Sequence, residues 1–122
     1  MITAIQQIAI NVKDVDRARA FYRDRLGLRH LFDGGPKLTF FDCGGVRLLV
    51  GIAEKEFDHP SSVLYFRVDD IRGAHRELLA KGVKFRDEPH LVARLPDREI
   101  WMAFFEDGEG NTLAITAEPP VK

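Results

Sequence analysis

Two similar stretches of sequence decide the fold: IAINVKDVDRARAFYRDRLGL over residues 8–28, and VLYFRVDDI over residues 63–71. In the first stretch, apolar residues alternate with smaller or polar ones as far as Val12, which predicts a half-buried strand. Asp14 then caps a helix whose apolar positions recur three or four residues apart, and Gly27 ends it. The pattern predicts a strand followed by an amphipathic helix.

The second stretch repeats this strand and helix, and its cap, Asp70, lies 56 residues after Asp14. Further along, Phe-Phe-Asp at 40–42 resembles Phe-Phe-Glu at 104–106, at the larger offset of 64 residues. The second half therefore holds eight extra residues, which we place around 88–98. An internal duplication explains both correspondences.

Strand-like runs separated by turn residues follow each helix, so each half is expected to contain a strand, a helix and about three further strands. This predicts an α+β fold of two tandem βαβββ modules, at about 1–53 and 62–117, with a charged connector at 54–61, all within one domain of 122 residues. Neither module alone covers both faces of its sheet. We therefore expect two modules packed together, or two chains exchanging modules, to form the stable core.

Composition excludes several classes of function. The chain has 18 basic and 19 acidic residues and a formal net charge of −1, which argues against nucleic-acid binding. The longest run of apolar and glycine residues, 48–53, is too short to cross a membrane. The start of the chain lacks the pattern of a secretion signal, and Cys43, the single cysteine, is interpreted as a small turn or core residue. The expected location is the cytoplasm.

Three motifs carry a resemblance to a known family: the opening stretch 8–28, FRVDDI at 66–71, and DGEGNTLAI at 107–115. They resemble the vicinal oxygen chelate superfamily, the group of glyoxalase I, extradiol dioxygenases, methylmalonyl epimerases and bleomycin resistance proteins. The resemblance covers essentially the whole chain. It implies a glyoxalase-like fold in which the two curled mixed sheets surround a shared cleft.

In the metal-dependent members of that superfamily, the first and last strands of each module supply the metal ligands, usually His, Gln or Glu. The matching positions here carry Gln7, Leu49, Val63 and Ala114, so three of the four have no donor atom. The resemblance therefore implies no metal site and no cofactor. It favours a metal-free homodimer, similar to the bleomycin resistance branch, that sequesters a planar or aromatic small molecule.

Strand alternation identifies the side chains expected to face the cleft. Arg47 and Arg67 would hold an anionic group, Tyr65 would stack on a ring, and Trp101 would close over the ligand or instead serve as a core or dimer-interface aromatic. Packed core is the alternative interpretation of the same face. The full set of predicted ligand-binding residues is Gln7, Asn11, Arg47, Leu49, Val63, Tyr65, Arg67, His90, Trp101 and Ala114.

Two other functions stay open at this point. A glyoxalase-like or dioxygenase-like metal enzyme would need relocated ligands, drawn from carboxylates and from the histidines His30, His59, His75 and His90. A metal-free enzyme would use His90 or Glu99 as its base. No residue is assigned a catalytic role, and the expected partners are a small molecule and a second copy of the chain.

Overall fold

The computed structural model describes residues 1–121 and divides the chain into two compact units. The first unit comprises Met1–Ser62 together with Gly108–Asn111, and the second comprises Val63–Asp107 and the segment that begins at Thr112. Each unit contains one mixed sheet and one main helix, which confirms the predicted α+β class. The predicted module boundaries stay a prediction.

The first unit follows the predicted order of strand, helix and three strands. Its sheet has the order β1-β4-β3-β2, in which β1 and β4 run parallel and the other pairs antiparallel. A short 3₁₀ turn, Lys55–Phe57, follows the last strand. The elements are β1 (Gln7–Asn11), α1 (Val15–Ala20), a π-helical turn (Phe21–Arg25), β2 (Arg29–Asp33), β3 (Leu38–Cys43) and β4 (Val46–Gly51).

α1 and the π-helical turn together form the predicted helix, and both of its predicted ends are confirmed. The side chain of Asp14 accepts a hydrogen bond from the backbone N–H of Arg17 at 3.0 Å, so it satisfies one of the donors left open at the start of the helix. At the other end the N–H of Leu26 bonds the carbonyl of Phe21, which gives the last turn its π-helical form. Gly27 then takes φ 75°, a conformation that glycine adopts without strain.

One face of the first sheet packs against α1, and the other does not. Phe41, Leu48 and Ile10 are buried on the helix side, where the ring of Phe41 lies 6.0 Å from that of Tyr22. Because successive strand residues face opposite ways, the residues between them lie on the open face. The predicted division of β1 into helix-facing and outward-facing residues is therefore confirmed.

The second unit has one strand more than the sequence indicates. Its sheet has the order β5-β9-β8-β6, and β7 also pairs with β8 in an antiparallel hairpin. The additional strand is β6, whose two residues carry too weak a pattern to be detected. The elements are β5 (Leu64–Arg67), α2 (Ile71–Ala80), β6 (Lys84–Phe85), β7 (His90–Arg94), β8 (Glu99–Glu106) and β9 (Thr112–Ala117).

The second helix repeats the construction of the first. Asp70 accepts a hydrogen bond from the backbone N–H of Gly73 at 3.1 Å, and Gly82 takes φ 87° after the helix ends. Phe105 and Leu113 are buried beneath this helix. Within residues 1–121, no helix is long and apolar enough to span a membrane.

Candidate functional site

The open face of the first sheet carries a small cluster of polar and aromatic side chains centred on Arg47. Strand register brings them together: Gln7 is opposite Arg47, Ala9 is opposite Leu49, and Leu49 is opposite Phe40. We call this cluster the Arg47 face and define it by Gln7, Ala9, Phe32, Phe40, Arg47 and Leu49. It contains three of the predicted ligand-binding residues.

A direct side-chain contact fixes the position of Arg47. Its Nε donates a hydrogen bond to Oε1 of Gln7 at 2.7 Å, across two neighbouring parallel strands. The nearest acid by register is Asp42, which instead lies 3.8 Å from Arg29. Within residues 1–121, no acidic side chain forms an ion pair with Arg47. The face therefore presents an oriented guanidinium group whose only side-chain hydrogen bond among the described residues is to a neutral amide.

Two phenylalanines form a platform beside this charge. The rings of Phe32 and Phe40 are stacked, with centroids 4.6 Å apart and planes 26° apart. The guanidinium carbon of Arg47 lies 5.4 Å from the centroid of Phe40 and 6.0 Å from that of Phe32. The sequence analysis did not assign these rings to the site. Alternation could have identified Phe40, because its neighbour Phe41 is buried on the helix side.

Asn11 has a structural role in this unit. Its side-chain amide donates hydrogen bonds to the carbonyls of Phe57 and His59, at 2.8 and 2.9 Å. Its backbone N–H bonds Oγ of Ser61 at 2.9 Å. Both amide hydrogens thus hold the segment after β4, so they are not available to a ligand, although Asn11 is among the predicted ligand-binding residues.

The open face of the second sheet carries a row of three rings. Tyr65 meets Phe104 edge to face at 5.9 Å, and His90 lies over the other side of Phe104 at 6.3 Å. Ala114, opposite both Tyr65 and Phe104, is fully buried, while Tyr65 is half exposed. We call these four residues the Tyr65 face. Tyr65, His90 and Ala114 are predicted ligand-binding residues, whereas the sequence analysis did not assign Phe104.

Two other predicted residues line separate pockets of the second unit. Arg67 and Thr116 lie in a pocket of about 710 Å³ that also contains Arg98. Trp101 lines a pocket of about 290 Å³ beside α2, where the guanidinium carbon of Arg72 is 5.4 Å from its ring. The helix side is opposite to the Tyr65 face, so the structure does not place Trp101 with the other predicted aromatic.

The donor set does not fit the divalent ion that the fold family implies. Leu49 and Val63 have no donor atom, and the methyl group of Ala114 is fully buried. The one donor, Oε1 of Gln7, already accepts the hydrogen bond from Arg47, whose positive charge would repel a metal ion. Within residues 1–121, no group of three His, Cys, Asp or Glu side chains could hold a metal ion.

The histidines proposed as relocated ligands each have separate local partners. His30 lies 3.1 Å from both Asp33 and Thr39, and the ring of His75 lies 4.5 Å from that of Phe85. Each of these two histidines is therefore already engaged within its own unit. His59 contacts the carbonyl of Pro60, and His90 contacts Asp87 and the carbonyl of Glu88.

Glu99 is poorly suited to act as a general base. Hydrogen bonds from the indole of Trp101 and from Arg94 lower its pKa below the ordinary range of a glutamate. A lower pKa means a weaker affinity for the proton that a base must remove. The geometry gives this residue a structural role.

The model of the Glyoxalase/Bleomycin resistance protein/Dioxygenase superfamily matches residues 4–115. The chain belongs to this superfamily. The match confirms the resemblance that the opening, central and closing motifs carry. Membership in the superfamily establishes the fold, whereas the chemistry depends on the side chains at the site.

Relatives of the chain cover most of its length. The "Uncharacterized protein YraH" of Bacillus subtilis is 29% identical, over 89% of this chain and 94% of the relative. The lactoylglutathione lyase of Agrobacterium tumefaciens is 24% identical with a TM-score of 0.73, covering 96% of this chain and 95% of that one. TnmS3 of Streptomyces sp. CB03234, an antibiotic binding protein, is 22% identical with a TM-score of 0.76, covering 96% and 97%. The two solved structures share the fold of this superfamily member.

Proposed function

We propose that this member of the superfamily is a metal-free protein that binds and sequesters a planar or aromatic small molecule. The observation that carries the proposal is the hydrogen bond from Arg47 to Gln7. At the one implied ligand position that retains a donor atom, the Gln7 oxygen already accepts a hydrogen bond from a cation that would repel a metal ion, and Leu49, Val63 and Ala114 offer no replacement.

The two ring clusters support binding of a flat molecule. Phe32 and Phe40 on one sheet, and Tyr65 and Phe104 on the other, are aromatic side chains that lie away from the helix-covered faces. Apolar rings with a few placed polar groups are the usual lining of small-molecule sites. The antibiotic binding protein TnmS3 gives one example of a binding function on this fold.

Metal analysis and a thermal-shift screen test this proposal. We expect freshly purified protein to contain far less than one transition-metal ion per chain, and Zn²⁺, Ni²⁺, Mn²⁺ and Fe²⁺ to leave its melting temperature unchanged. Planar aromatic compounds should raise that temperature in a concentration-dependent way, because a ligand that binds only the native state stabilises it. One tightly held metal ion per chain, with loss of stability on chelation, would overturn the proposal in favour of a metal-dependent enzyme.

The proposal includes a homodimer. Leu31 on the edge strand β2, and Leu91 and Val92 on the edge strand β7, are exposed apolar residues. Exposed apolar edges are surfaces on which another chain can pair. Sedimentation equilibrium should give twice the chain mass, with Leu91→Lys shifting the population toward monomer. A wild-type monomer at all accessible concentrations would contradict this part of the proposal.

A further inference from the structure

The Arg47 face offers hydrogen-bond donors that the protein itself does not use. Nε of Arg47 is bonded to Gln7, which fixes the plane of the guanidinium group. Within residues 1–121, neither Nη group has a hydrogen-bond acceptor in the protein. A guanidinium with both Nη groups open retains a planar pair of donors that matches the two oxygens of a carboxylate.

The ring platform lies next to these donors. Arg47 is within 6.0 Å of the centroids of both Phe32 and Phe40, and Phe32 remains 42% exposed. A ligand with a planar ring would cover this exposed apolar surface, and an acidic group on its rim would reach the guanidinium. The charge of Arg47 and the flat ring platform thus both favour a planar molecule with an acidic group.

We infer that the Arg47 face is the subsite that recognises the carboxylate of a planar aromatic acid, with Gln7 as the positioning residue for the guanidinium. The inference rests on the proposed function and narrows the class of its ligand. It also distinguishes Arg47 from Arg67, since Arg67 lies in a pocket shared with the acidic residues Asp69 and Glu118 and has no ring platform among the residues lining that pocket. The Arg47 face should bind the ligand with its carboxylate ionised.

The test compares two probes of the same size and shape, of which one carries a negative charge and two acceptor oxygens and the other is neutral with one acceptor oxygen. 2-Naphthoate and 2-naphthamide have the same rings, and their binding to the full chain is measured by calorimetry or ligand-observed NMR near neutral pH. We expect the wild-type protein to bind 2-naphthoate roughly tenfold or more tightly than 2-naphthamide. Arg47→Met retains an unbranched apolar side chain but removes the charge, so the preference should disappear while 2-naphthamide binding is retained.

Two further variants distinguish the subsite from a general effect on the sheet. Gln7→Glu retains an acceptor for Arg47 but neutralises its charge, so it should abolish the preference for 2-naphthoate over 2-naphthamide. Arg23→Met is the matched control, because Arg23 is an exposed arginine of the same unit whose partner is Asp24 and which lies outside the Arg47 face. It should bind both probes as the wild type does.

The outcomes separate this inference from the proposed function. Equal binding of the two probes by the wild type, an unchanged preference in Arg47→Met, or no binding of 2-naphthoate at about 1 mM, a concentration suited to weak fragments, would overturn the carboxylate subsite. A requirement for added Zn²⁺ or Ni²⁺ before either probe binds would overturn the proposed function instead.

Discussion

Replacing Glu109 should destabilise the first unit more than replacing any exposed glutamate, because its carboxylate closes the start of α1. One oxygen accepts hydrogen bonds from the backbone N–H groups of Lys13 and Asp14, each at 2.9 Å. The other pairs with Arg17. The side chain of Glu109 is fully buried, whereas that of Arg17 is 57% exposed. A residue 95 positions away thus completes the helix cap that Asp14 begins.

The expected loss can be worked out from these contacts. Hydrogen bonds to a charged acceptor contribute about 1.5–3 kcal/mol each when buried, and breaking a buried ion pair costs about 3–5 kcal/mol. Lys13 and Asp14 are exposed, and water can solvate the freed Arg17 group, so the lower part of these ranges applies. We therefore expect Glu109→Ala to lower the free energy of unfolding by about 3 kcal/mol, which corresponds to a fall of roughly 10 °C in melting temperature.

Glu109→Gln isolates the contribution of the charge. Burial alone would raise the pKa of Glu109, but the hydrogen bonds from Arg17, Lys13 and Asp14 together lower it below the ordinary value. Because the folded-state pKa is lowered, the charge stabilises the protein fully above the unfolded pKa. This stabilisation is lost as pH falls through the folded pKa. The stability gap between wild type and Glu109→Gln should therefore be present at neutral pH and close in acid.

Urea denaturation followed by circular dichroism, repeated over a range of pH, measures the loss of unfolding free energy in Glu109→Ala and the pH dependence of the stability gap for Glu109→Gln. Glu77→Gln is the control, because Glu77 is 71% exposed and its nearest partner, Lys81, is 3.7 Å away. That exposed pair should contribute less than about 0.5 kcal/mol. If Glu109→Ala costs no more than the control, or if the gap for Glu109→Gln is the same in acid as at neutral pH, the reasoning about the cap is refuted.

Three other measurements test separate parts of the structure. Gly51→Ala should lower the free energy of unfolding by about 1–3 kcal/mol, since a Cβ there would lie 2.5 Å from Leu38 and 2.6 Å from the carbonyl of Lys37. An unchanged midpoint in a urea titration would contradict this packing. Hydrogen bonds from Thr39 and His30 lower the pKa of Asp33 to about 2, so its charge stabilises the fold until pH falls to that value. The carboxyl ¹³C shift of Asp33 should therefore titrate with a midpoint at about 2, and a midpoint at the ordinary 3.8 would exclude these bonds. Burial raises the pKa of the Cys43 thiol, so near neutral pH it should react with a disulfide reagent more slowly than a free thiol does, and faster once the protein is unfolded. Equal reaction rates for the folded and unfolded protein would show that the thiol is accessible.

The sequence predicted those parts of the fold that depend on local chemistry. Asp14 and Asp70 cap helices and Gly27 follows one, because a short acceptor and a residue without Cβ satisfy helix ends wherever those ends occur. Outward-facing Gln7 and Arg47 followed from alternation, since the period of a strand is two residues. These predictions required no knowledge of distant contacts.

Other features depended on partners far along the chain. Asn11 was assigned correctly to the open face, but the carbonyls that occupy its amide belong to residues 46 and 48 positions away. For Trp101 the sequence predicts either a ligand contact or a core or dimer-interface position, and the structure places its ring against Arg72 of α2. Its side could have been predicted: Phe105 is buried, and residues two apart in a strand share a face, so Trp101 lies on the same side as Phe105.

Under the proposed function, the cation available to a ligand is a side chain of the protein, and this changes what the scaffold can recognise. A divalent ion accepts lone pairs from two neighbouring oxygens and does not require the ligand to be charged. The guanidinium of Arg47 donates hydrogen atoms in one plane, and its Nε is already bonded to Gln7, so it favours an acceptor that carries negative charge and two oxygens. It also belongs to the chain, and no chelator removes it. Binding on the Arg47 face should therefore be insensitive to chelators and sensitive to the charge of the ligand, the reverse of what a metal centre would produce.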